Sequence, residues 1–212
     1  MLSDEMLERL RAALVPGRPI AIDCDGVILD YDQPFSVIAS EVLRRPVQKV
    51  NNIYELHIRY DLSIDELNAV FTAYREHPSG LRGLPLIEGA DRVIRELRTM
   101  GHPLHMVTGI DPDAHHLRLE NLGLYGIEFD EIHCVGAGMK SKKDVLLRLD
   151  PCIFLDDRLH LLAEADHVPH RVWIDRDDDQ YGHECPSDIV RVKTMEEWFH
   201  GVLSPAVHKD RV

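Results

Sequence analysis

Short apolar segments alternate with longer helical patterns along most of the chain. Six segments of four or five residues have the length and composition of buried strands, namely 19–22, 104–107, 131–135, 152–155, 171–174 and 189–192. Between them lie helical patterns such as 89–100, where Val93, Ile94 and Leu97 recur at helical spacing. This alternation predicts an α/β fold with a parallel sheet covered by helices.

Helix starts are marked by polar residues at fixed spacing. The segments 63–66, 141–144 and 194–197 each have the pattern of a capping box, with Ser or Thr followed three residues later by an acid. At the N-terminus, apolar residues at helical spacing predict an amphipathic helix packed on the core; these are Leu2, Met6, Leu7, Leu10 and Leu14.

The interval from Asp30 to about Leu84 breaks the alternation, because it contains helical patterns and no convincing strand. Leu67, Val70, Phe71 and Tyr74 form an i, i+3, i+4, i+7 stripe there, which favours packing in a core over ligand binding for Phe71 and Tyr74. The Gly- and Pro-rich segment 77–85 is typical of a junction. We therefore predict a helical insertion after the first strand.

Composition narrows the class of protein. The 212 residues carry 24 Lys and Arg against 37 Asp and Glu, a net charge of −13, which argues against a nucleic-acid partner. No apolar run approaches the roughly 20 residues of a membrane span, and the first residues lack the basic start of a secretory signal. We expect a cytoplasmic protein with reduced cysteines and, since no third ligand is evident, no histidine metal site.

The first apolar segment runs directly into Asp23, Cys24, Asp25 and Gly26. Side chains two residues apart leave a strand on the same side, and the carboxyl ends of parallel strands form the ligand crevice of such folds. Two close carboxylates repel each other unless a cation such as Mg²⁺ or a shared proton offsets their charge. The alternative is an Asx-turn that merely ends the strand.

Two other apolar segments are followed by polar residues that could take part in the same site. The segment 152–155 is followed by Asp156 and Asp157, and 104–107 by Thr108 and Gly109, a hydroxyl and a flexible backbone N–H suited to a phosphoryl oxygen. Lys142 is placed to bind an anion near a helix start. Lys140 and Lys143 compete for that role, and a solvated lysine loop explains the run equally.

The order of these residues resembles that of the four motifs of phosphatases of the haloacid dehalogenase (HAD) superfamily. The matching residues are 23–27 for the first motif, Thr108 with Gly109 for the second, Lys142 for the third, and Asp156 with Asp157 for the fourth. The resemblance implies a Rossmann-like three-layer core at 1–30 and 82–204, a small helical C1 cap at 31–81, and a tail at 205–212. Asp25 and Thr108 are 83 residues apart but Thr108 and Lys142 only 34, which leaves no room for a large second cap. A looser similarity links the chain to 5′(3′)-deoxyribonucleotidases.

The resemblance also implies roles. Asp23 would attack phosphorus and Asp25 would act as general acid and base. Mg²⁺ would bind Asp23, the Asp25 backbone carbonyl and Asp157, with Asp156 behind them, and Thr108, Gly109 and Lys142 would hold the phosphoryl group of a small phosphorylated metabolite. The acid at position 25 argues for phosphate chemistry over carbon–halogen cleavage, since the dehalogenases lack it.

Several alternatives stay open at this stage. A phosphomutase or a non-catalytic module that binds Mg²⁺ and phosphate would use the same residues. Tyr31 and Phe35 are the aromatic residues of the insertion expected nearest the first motif, and a nucleoside monophosphate is one possible substrate. Arg118 and Arg158 are interpreted as phosphate ligands or as partners in helix-surface ion pairs. The acidic stretch 175–179 is interpreted as a solvated loop, with the alternative that it tunes a metal or a cationic leaving group near the crevice.

Overall fold

The computed structural model describes residues 4–14, 17–136, 141–177 and 184–203. Its six strands are β1 Ile20–Ile22, β2 Leu104–Thr108, β3 Glu131–Cys134, β4 Ile153–Asp156, β5 His170–Ile174 and β6 Ile189–Val192. They form one parallel sheet in the order β3-β2-β1-β4-β5-β6. The six predicted strands are confirmed, each end to within one residue.

The helices are α1 Asp4–Ala13, α2 Asp32–Leu43, α3 Leu56–Arg59, α4 Ile64–Glu76, α5 Ala90–Thr99, α6 His115–Gly123, α7 Lys143–Leu149, α8 Leu159–Glu164 and α9 Met195–Trp198. A 3₁₀ turn, Pro112–Ala114, precedes α6, and a π-helical turn, Phe199–Leu203, follows α9. Among the described ranges no helix combines the length and apolar character that a membrane span requires.

Both faces of the sheet are covered, which makes the core three-layered. Alternate residues of a strand point to opposite faces, so Ile20 and Ile22 pack into one apolar cluster and Ala21 into another. The first cluster includes Leu10 of α1 and Leu97 of α5, and the second includes Leu146 of α7 and Leu162 of α8. The predicted α/β class is confirmed, as is an N-terminal helix on the core.

The segment between β1 and β2 contains α2, α3 and α4 before α5 returns to the sheet. Phe35 lies at its centre, with its ring centroid 4.6 Å from that of Tyr60 and 5.9 Å from that of Tyr74. Tyr74 is buried as predicted, whereas Phe71 is 45% exposed and the prediction of a core position for it is wrong. The domain limits at 30/31 and 81/82 stay predictions, and the tail 205–212 lies outside the described residues.

Two of the three predicted capping boxes differ from the expected pattern. Ser63 and Glu66 form the predicted reciprocal pair at α4. The helix α7 instead begins after Lys142, and the Ser141 hydroxyl accepts from the Lys143 N–H and donates to Glu164. At α9, the Thr194 hydroxyl accepts from the Glu197 N–H, but the Glu197 carboxylate accepts from the backbone N–H of Lys193 and not from that of Thr194.

The strand order decides where the candidate residues meet. Because β1 lies between β2 and β4 and all three are parallel, their carboxyl ends are neighbours at one edge of the sheet. Residues that are far apart in sequence, such as Asp23, Thr108 and Asp157, therefore lie at or just after adjacent strand ends.

Candidate active site

The turn after β1 brings the ends of β1 and β4 into contact. The Asp23 N–H donates to the Leu155 carbonyl at 2.9 Å, and the Cys24 carbonyl accepts from the N–H groups of Ile28 and Leu29 at 2.8 and 3.0 Å. Gly26 has a φ of 82°, and a Cβ there would lie 2.4 Å from Asp157 Oδ2. Only glycine suits both the conformation and the close approach of Asp157.

Lys142 is the cation at the centre of the site. Its buried ammonium lies 2.7 Å from Asp23 Oδ1 and 2.7 Å from Asp156 Oδ2. Burial alone would lower the pKa of this lysine, but the two carboxylates outweigh it and raise the pKa above its ordinary value. Of the competing lysines, Lys143 is exposed and Lys140 lies outside the described residues.

Asp156 and Asp157 differ in what surrounds them. Both Asp156 oxygens are engaged, Oδ2 by Lys142 and Oδ1 by the Arg158 N–H at 2.8 Å. Burial, opposed by Lys142 and supported by Asp23, raises the pKa of Asp156 to about 6. Burial and the charges of Asp23 and Asp156 raise the pKa of Asp157 well above its usual range. Unlike Asp156, the half-buried Asp157 has a charge that these two contacts do not neutralise.

The acidic residues fit a divalent cation. One oxygen from each of Asp23, Asp156 and Asp157 lies within 4.8 Å of the other two. Carboxylate oxygens are the ligands that Mg²⁺ prefers, and a cation between them would offset the repulsion that, together with burial, raises the pKa of Asp157. Since Asp156 is occupied by Lys142 and the Arg158 N–H, Asp23 and Asp157 are the better ligands.

Asp25 has a partner of its own in the core. Arg118 Nη2 donates to Asp25 Oδ1 at 2.8 Å and Oδ2 at 2.7 Å, and the Arg118 side chain is fully buried. Burial raises the pKa of Asp25, and the Arg118 guanidinium opposes that rise. The helix-surface interpretation of Arg118 is therefore wrong, because the pair lies inside the protein and orients the second acid of the β1 motif.

Thr108 ends β2 with an unsatisfied hydroxyl. Its Oγ1 is buried without a hydrogen-bond partner among the described residues. A buried hydroxyl without a partner costs free energy, which a ligand oxygen at the strand end would recover. Gly109 follows, where a Cβ would meet nothing closer than the Gly136 carbonyl oxygen at 4.0 Å, so the backbone borders open space.

A cavity of about 580 Å³ opens beside Asp157 and Gly26, between the insertion and the core. Its lining includes Tyr31, Asn52, Tyr54, Arg158 and His160. The Arg158 guanidinium stacks on Tyr54, 3.9 Å from the ring centroid, so the surface interpretation of Arg158 is also wrong. Of the two aromatic residues expected nearest the motif, Tyr31 lines this cavity, whereas Phe35 is buried inside the insertion.

Charged residues join the insertion to the segment after β5. Lys49 contacts Asp32 at 2.8 Å and Asp177 at 2.5 Å, and Arg176 contacts Asp30 at 3.2 Å. Asp175 is only 6% exposed and pairs with Arg191. The solvated-loop interpretation is therefore wrong for Asp175, and 178–179 lie outside the described residues.

We expect Asp157→Asn to stabilise the metal-free protein at pH 7. The amide removes an ionisable carboxyl next to two others, which we expect to increase the free energy of unfolding by about 1 kcal/mol, the equivalent of a pKa shift of roughly one unit. Since the pKa of Asp157 is raised in the folded state, its destabilising effect is absent below the unfolded pKa and grows as pH rises. Denaturant titrations in chelator at pH 4.5 and 7.5 measure this difference.

The same variant should behave in the opposite way with Mg²⁺. Millimolar Mg²⁺ is expected to raise the Tm of the unmodified chain but not that of Asp157→Asn, because ligand binding stabilises only a protein that keeps its site. Asp65→Asn, a change on the exposed surface of α4, is the control and should show the normal Mg²⁺ response. Equal Mg²⁺ stabilisation of Asp157→Asn would contradict its assignment as a ligand.

Comparisons with known proteins show which solved structures share this fold. No family model matches the sequence, and no curated protein matches it. Among solved structures, YfnB of Bacillus subtilis, assigned as a HAD-hydrolase and bound to magnesium, superposes with a TM-score of 0.59 at 15% identity, covering 89% of this chain and 100% of that one.

Two further structures have the same architecture. A HAD family hydrolase of Deinococcus radiodurans with bound phosphate and sodium gives a TM-score of 0.57 at 18% identity, over 91% of this chain and 97% of the other. A dehalogenase in an intermediate complex gives 0.58 at 15% identity, over 89% and 98%. The chain therefore has the HAD hydrolase fold, as the motif order implied.

Proposed function

We propose that this protein is a Mg²⁺-dependent phosphatase that hydrolyses a small phosphorylated metabolite through an aspartyl-phosphate intermediate. The observation that carries the proposal is the buried Lys142 ammonium, held 2.7 Å from Asp23 with Asp156 and Asp157 around it. The fold supports the proposal, because solved structures that share it include a HAD-hydrolase bound to magnesium and a HAD family hydrolase with bound phosphate and sodium.

The first displacement would use Asp23 as nucleophile. One Asp23 oxygen attacks phosphorus, the bond from phosphorus to the leaving oxygen breaks, and Asp25 gives that oxygen its proton. In the second displacement Asp25 takes a proton from water, which attacks the phosphoryl group and frees both Asp23 and inorganic phosphate. Mg²⁺, held by Asp23, Asp157 and the Asp25 backbone carbonyl, would supply charge neutralisation for the phosphoryl oxygens.

The remaining residues would hold the transferred group. Lys142 would neutralise charge on a phosphoryl oxygen while it keeps Asp23 in place. The Thr108 hydroxyl, which lacks a partner within the described chain, would donate to a second oxygen, and the Gly109 N–H would serve the third. Asp156 would position Lys142 through its 2.7 Å contact.

Asp25 favours phosphatase over dehalogenase chemistry, although dehalogenases share the fold. A leaving alcohol needs a proton, and a leaving halide does not. The carboxyl of Asp25 is oriented by Arg118 and has its pKa raised by burial, both of which suit a proton donor.

The cavity next to the site suggests how the leaving group is bound. We propose that 31–81 acts as a C1 cap and that the leaving group lies between it and the core, against Tyr54, Arg158 and Tyr31. A planar ring could stack in this cavity, which supports a nucleoside monophosphate as one substrate class.

We expect Arg118→Met to lower kcat about 10- to 100-fold and to move the alkaline limb of the pH profile to higher pH. Arg118 opposes the rise in the pKa of Asp25, so without it the proton is retained to higher pH. Arg118→Lys keeps the positive charge, so its alkaline limb should lie between that of Arg118→Met and that of the parent. Arg92→Met, on the exposed surface of α5, is the control. An unshifted limb in Arg118→Met would show that Arg118 has only a structural role.

A screen of phosphorylated metabolites, with Mg²⁺ or with chelator, tests the proposed activity. We expect Mg²⁺-dependent release of inorganic phosphate, with turnover that continues past one equivalent of enzyme. Transfer within the substrate without release of phosphate would indicate a phosphomutase, and stoichiometric phosphorylation without turnover would indicate a binding module. Either result would overturn the proposed function.

A further inference from the structure

A second group of potential metal ligands lies on β2 and β3, separate from the acidic site. His105 pairs with Glu131 in the parallel register, and His133 is two residues beyond Glu131, so all three side chains leave the same face of the sheet. His105 is three residues before Thr108, towards the opposite end of β2. The sequence did not indicate this group, because 25 residues separate His105 from its nearest partner.

The distances among these three side chains are those of ligands around one ion. His105 Nδ1 and His133 Nε2 lie 3.2 Å apart, and Glu131 Oε2 is 3.3 Å from the second and 3.9 Å from the first. A circle through three points so spaced has a radius of about 2.0 Å, close to zinc–nitrogen and zinc–oxygen bond lengths of about 2.0–2.2 Å. A single point is therefore within bonding distance of all three atoms.

A single hydrogen bond from His133 cannot join all three atoms. Seen from His133 Nε2, the other two atoms lie in clearly different directions, so one N–H cannot point well at both. A neutral imidazole has one ring nitrogen with a lone pair, and this is the form in which histidine binds a metal.

We propose that His105, Glu131 and His133 bind one transition-metal ion of the Zn²⁺ class, with water completing a four-coordinate site. Two imidazoles and a carboxylate are a common zinc ligand set, and they are softer than the all-oxygen ligands of the proposed Mg²⁺ site. The rings are stacked, with planes 6° apart, and would have to turn for both lone pairs to point at one ion. The side chain of Glu131 is 62% exposed, which gives the ion access.

The bound ion would link the edge strand β3 to β2. Within the described chain β3 has a strand neighbour on only one side, so a metal shared by His105 and His133 would add a cross-link where the sheet is open. The proposal does not depend on the phosphatase activity, because the two sites use different residues and different donor chemistry.

Calorimetric titration of the full, chelator-treated chain with Zn²⁺ in excess Mg²⁺ tests this site. We expect one Zn²⁺ to bind and Co²⁺ to give the intense visible absorption of a four-coordinate site. His133→Gln and Glu131→Gln should each weaken Zn²⁺ binding at least about 10-fold. Glu131 is exposed, so its variant reports on the site even where loss of His133 affects folding.

Two controls separate this site from other binding. His116→Gln changes an exposed histidine on α6, and Asp157→Asn changes the acidic site, so both should keep the Zn²⁺ affinity of the parent. Unchanged affinity in Glu131→Gln and His133→Gln would overturn the proposal. Loss of Zn²⁺ binding in Asp157→Asn would also overturn it, because the ion would then occupy the acidic site.

Discussion

Replacing Asp23 with Asn is expected to reduce kcat at least about 1,000-fold, equivalent to about 4 kcal/mol of transition-state stabilisation. The amide is a poor nucleophile, so the covalent first step is lost, whereas the neighbouring groups stay in place. Lys142 still has Asp156 at 2.7 Å in this variant, so the buried ammonium keeps a carboxylate partner. Initial rates of phosphate release with a generic aryl phosphate measure the effect.

Folding of the Asp23→Asn variant is checked by circular dichroism and Tm, which should stay close to those of the parent. Asp65→Asn makes the same chemical change on the exposed surface of α4 and should keep full activity. If Asp23→Asn turned over phosphate esters at the parental rate, Asp23 would not be the nucleophile and the proposed mechanism would be wrong.

Lys142→Met is expected to lower both activity and stability. It removes the cation shared by Asp23 and Asp156, and we expect a loss of about 100- to 1,000-fold in kcat/KM. Loss of one partner of a buried ion pair usually costs about 3–5 kcal/mol, since the other partner keeps an uncompensated charge. Steady-state kinetics and denaturant unfolding at pH 7.5 measure the two effects.

The stability loss in Lys142→Met should diminish at lower pH. Asp156 already has a folded-state pKa of about 6, and without Lys142 that pKa rises further, so acid neutralises the carboxyl and removes the cost. Lys143→Met is the matched control, because Lys143 is adjacent in sequence but exposed. Comparable losses in both variants would show that Lys142 has no special role.

The strands could be predicted because the information is local. A buried parallel strand needs only a few consecutive apolar residues, and the segment 152–155, Cys-Ile-Phe-Leu, has this pattern. Most candidate site residues were recognisable for a related reason, since they lie at or just after the carboxyl end of a strand and parallel strands bring these ends together; Lys142, at the start of α7, is the exception. The position of β1 between β2 and β4 could not be predicted from these local patterns, and the structure establishes it.

Features that depend on distant partners could not be predicted. Arg118 resembles any helical arginine in the sequence, and only tertiary packing shows it fully buried against Asp25, 93 residues away. The stacking of Arg158 on Tyr54 and the contact of Lys49 with Asp177 likewise join separate parts of the chain. The start of α7 was misplaced for the same reason, since the Ser141 hydroxyl donates to the distant Glu164 as well as accepting from its own helix.

The fold alone does not decide which reaction the protein catalyses. Solved structures that share it at 15–18% identity include a hydrolase with bound phosphate and a dehalogenase. The choice between these reactions therefore rests on individual residues of this chain, above all on Asp25 with its buried guanidinium partner.

Mass spectrometry of acid-quenched enzyme tests the central claim most directly. The protein is mixed with a substrate and Mg²⁺, stopped in acid within the first turnovers, and digested under acidic conditions that preserve acyl phosphates. The account predicts one added phosphoryl group on Asp23, absent when chelator replaces Mg²⁺. Phosphate release with no label on Asp23, or a label on another residue, would contradict it.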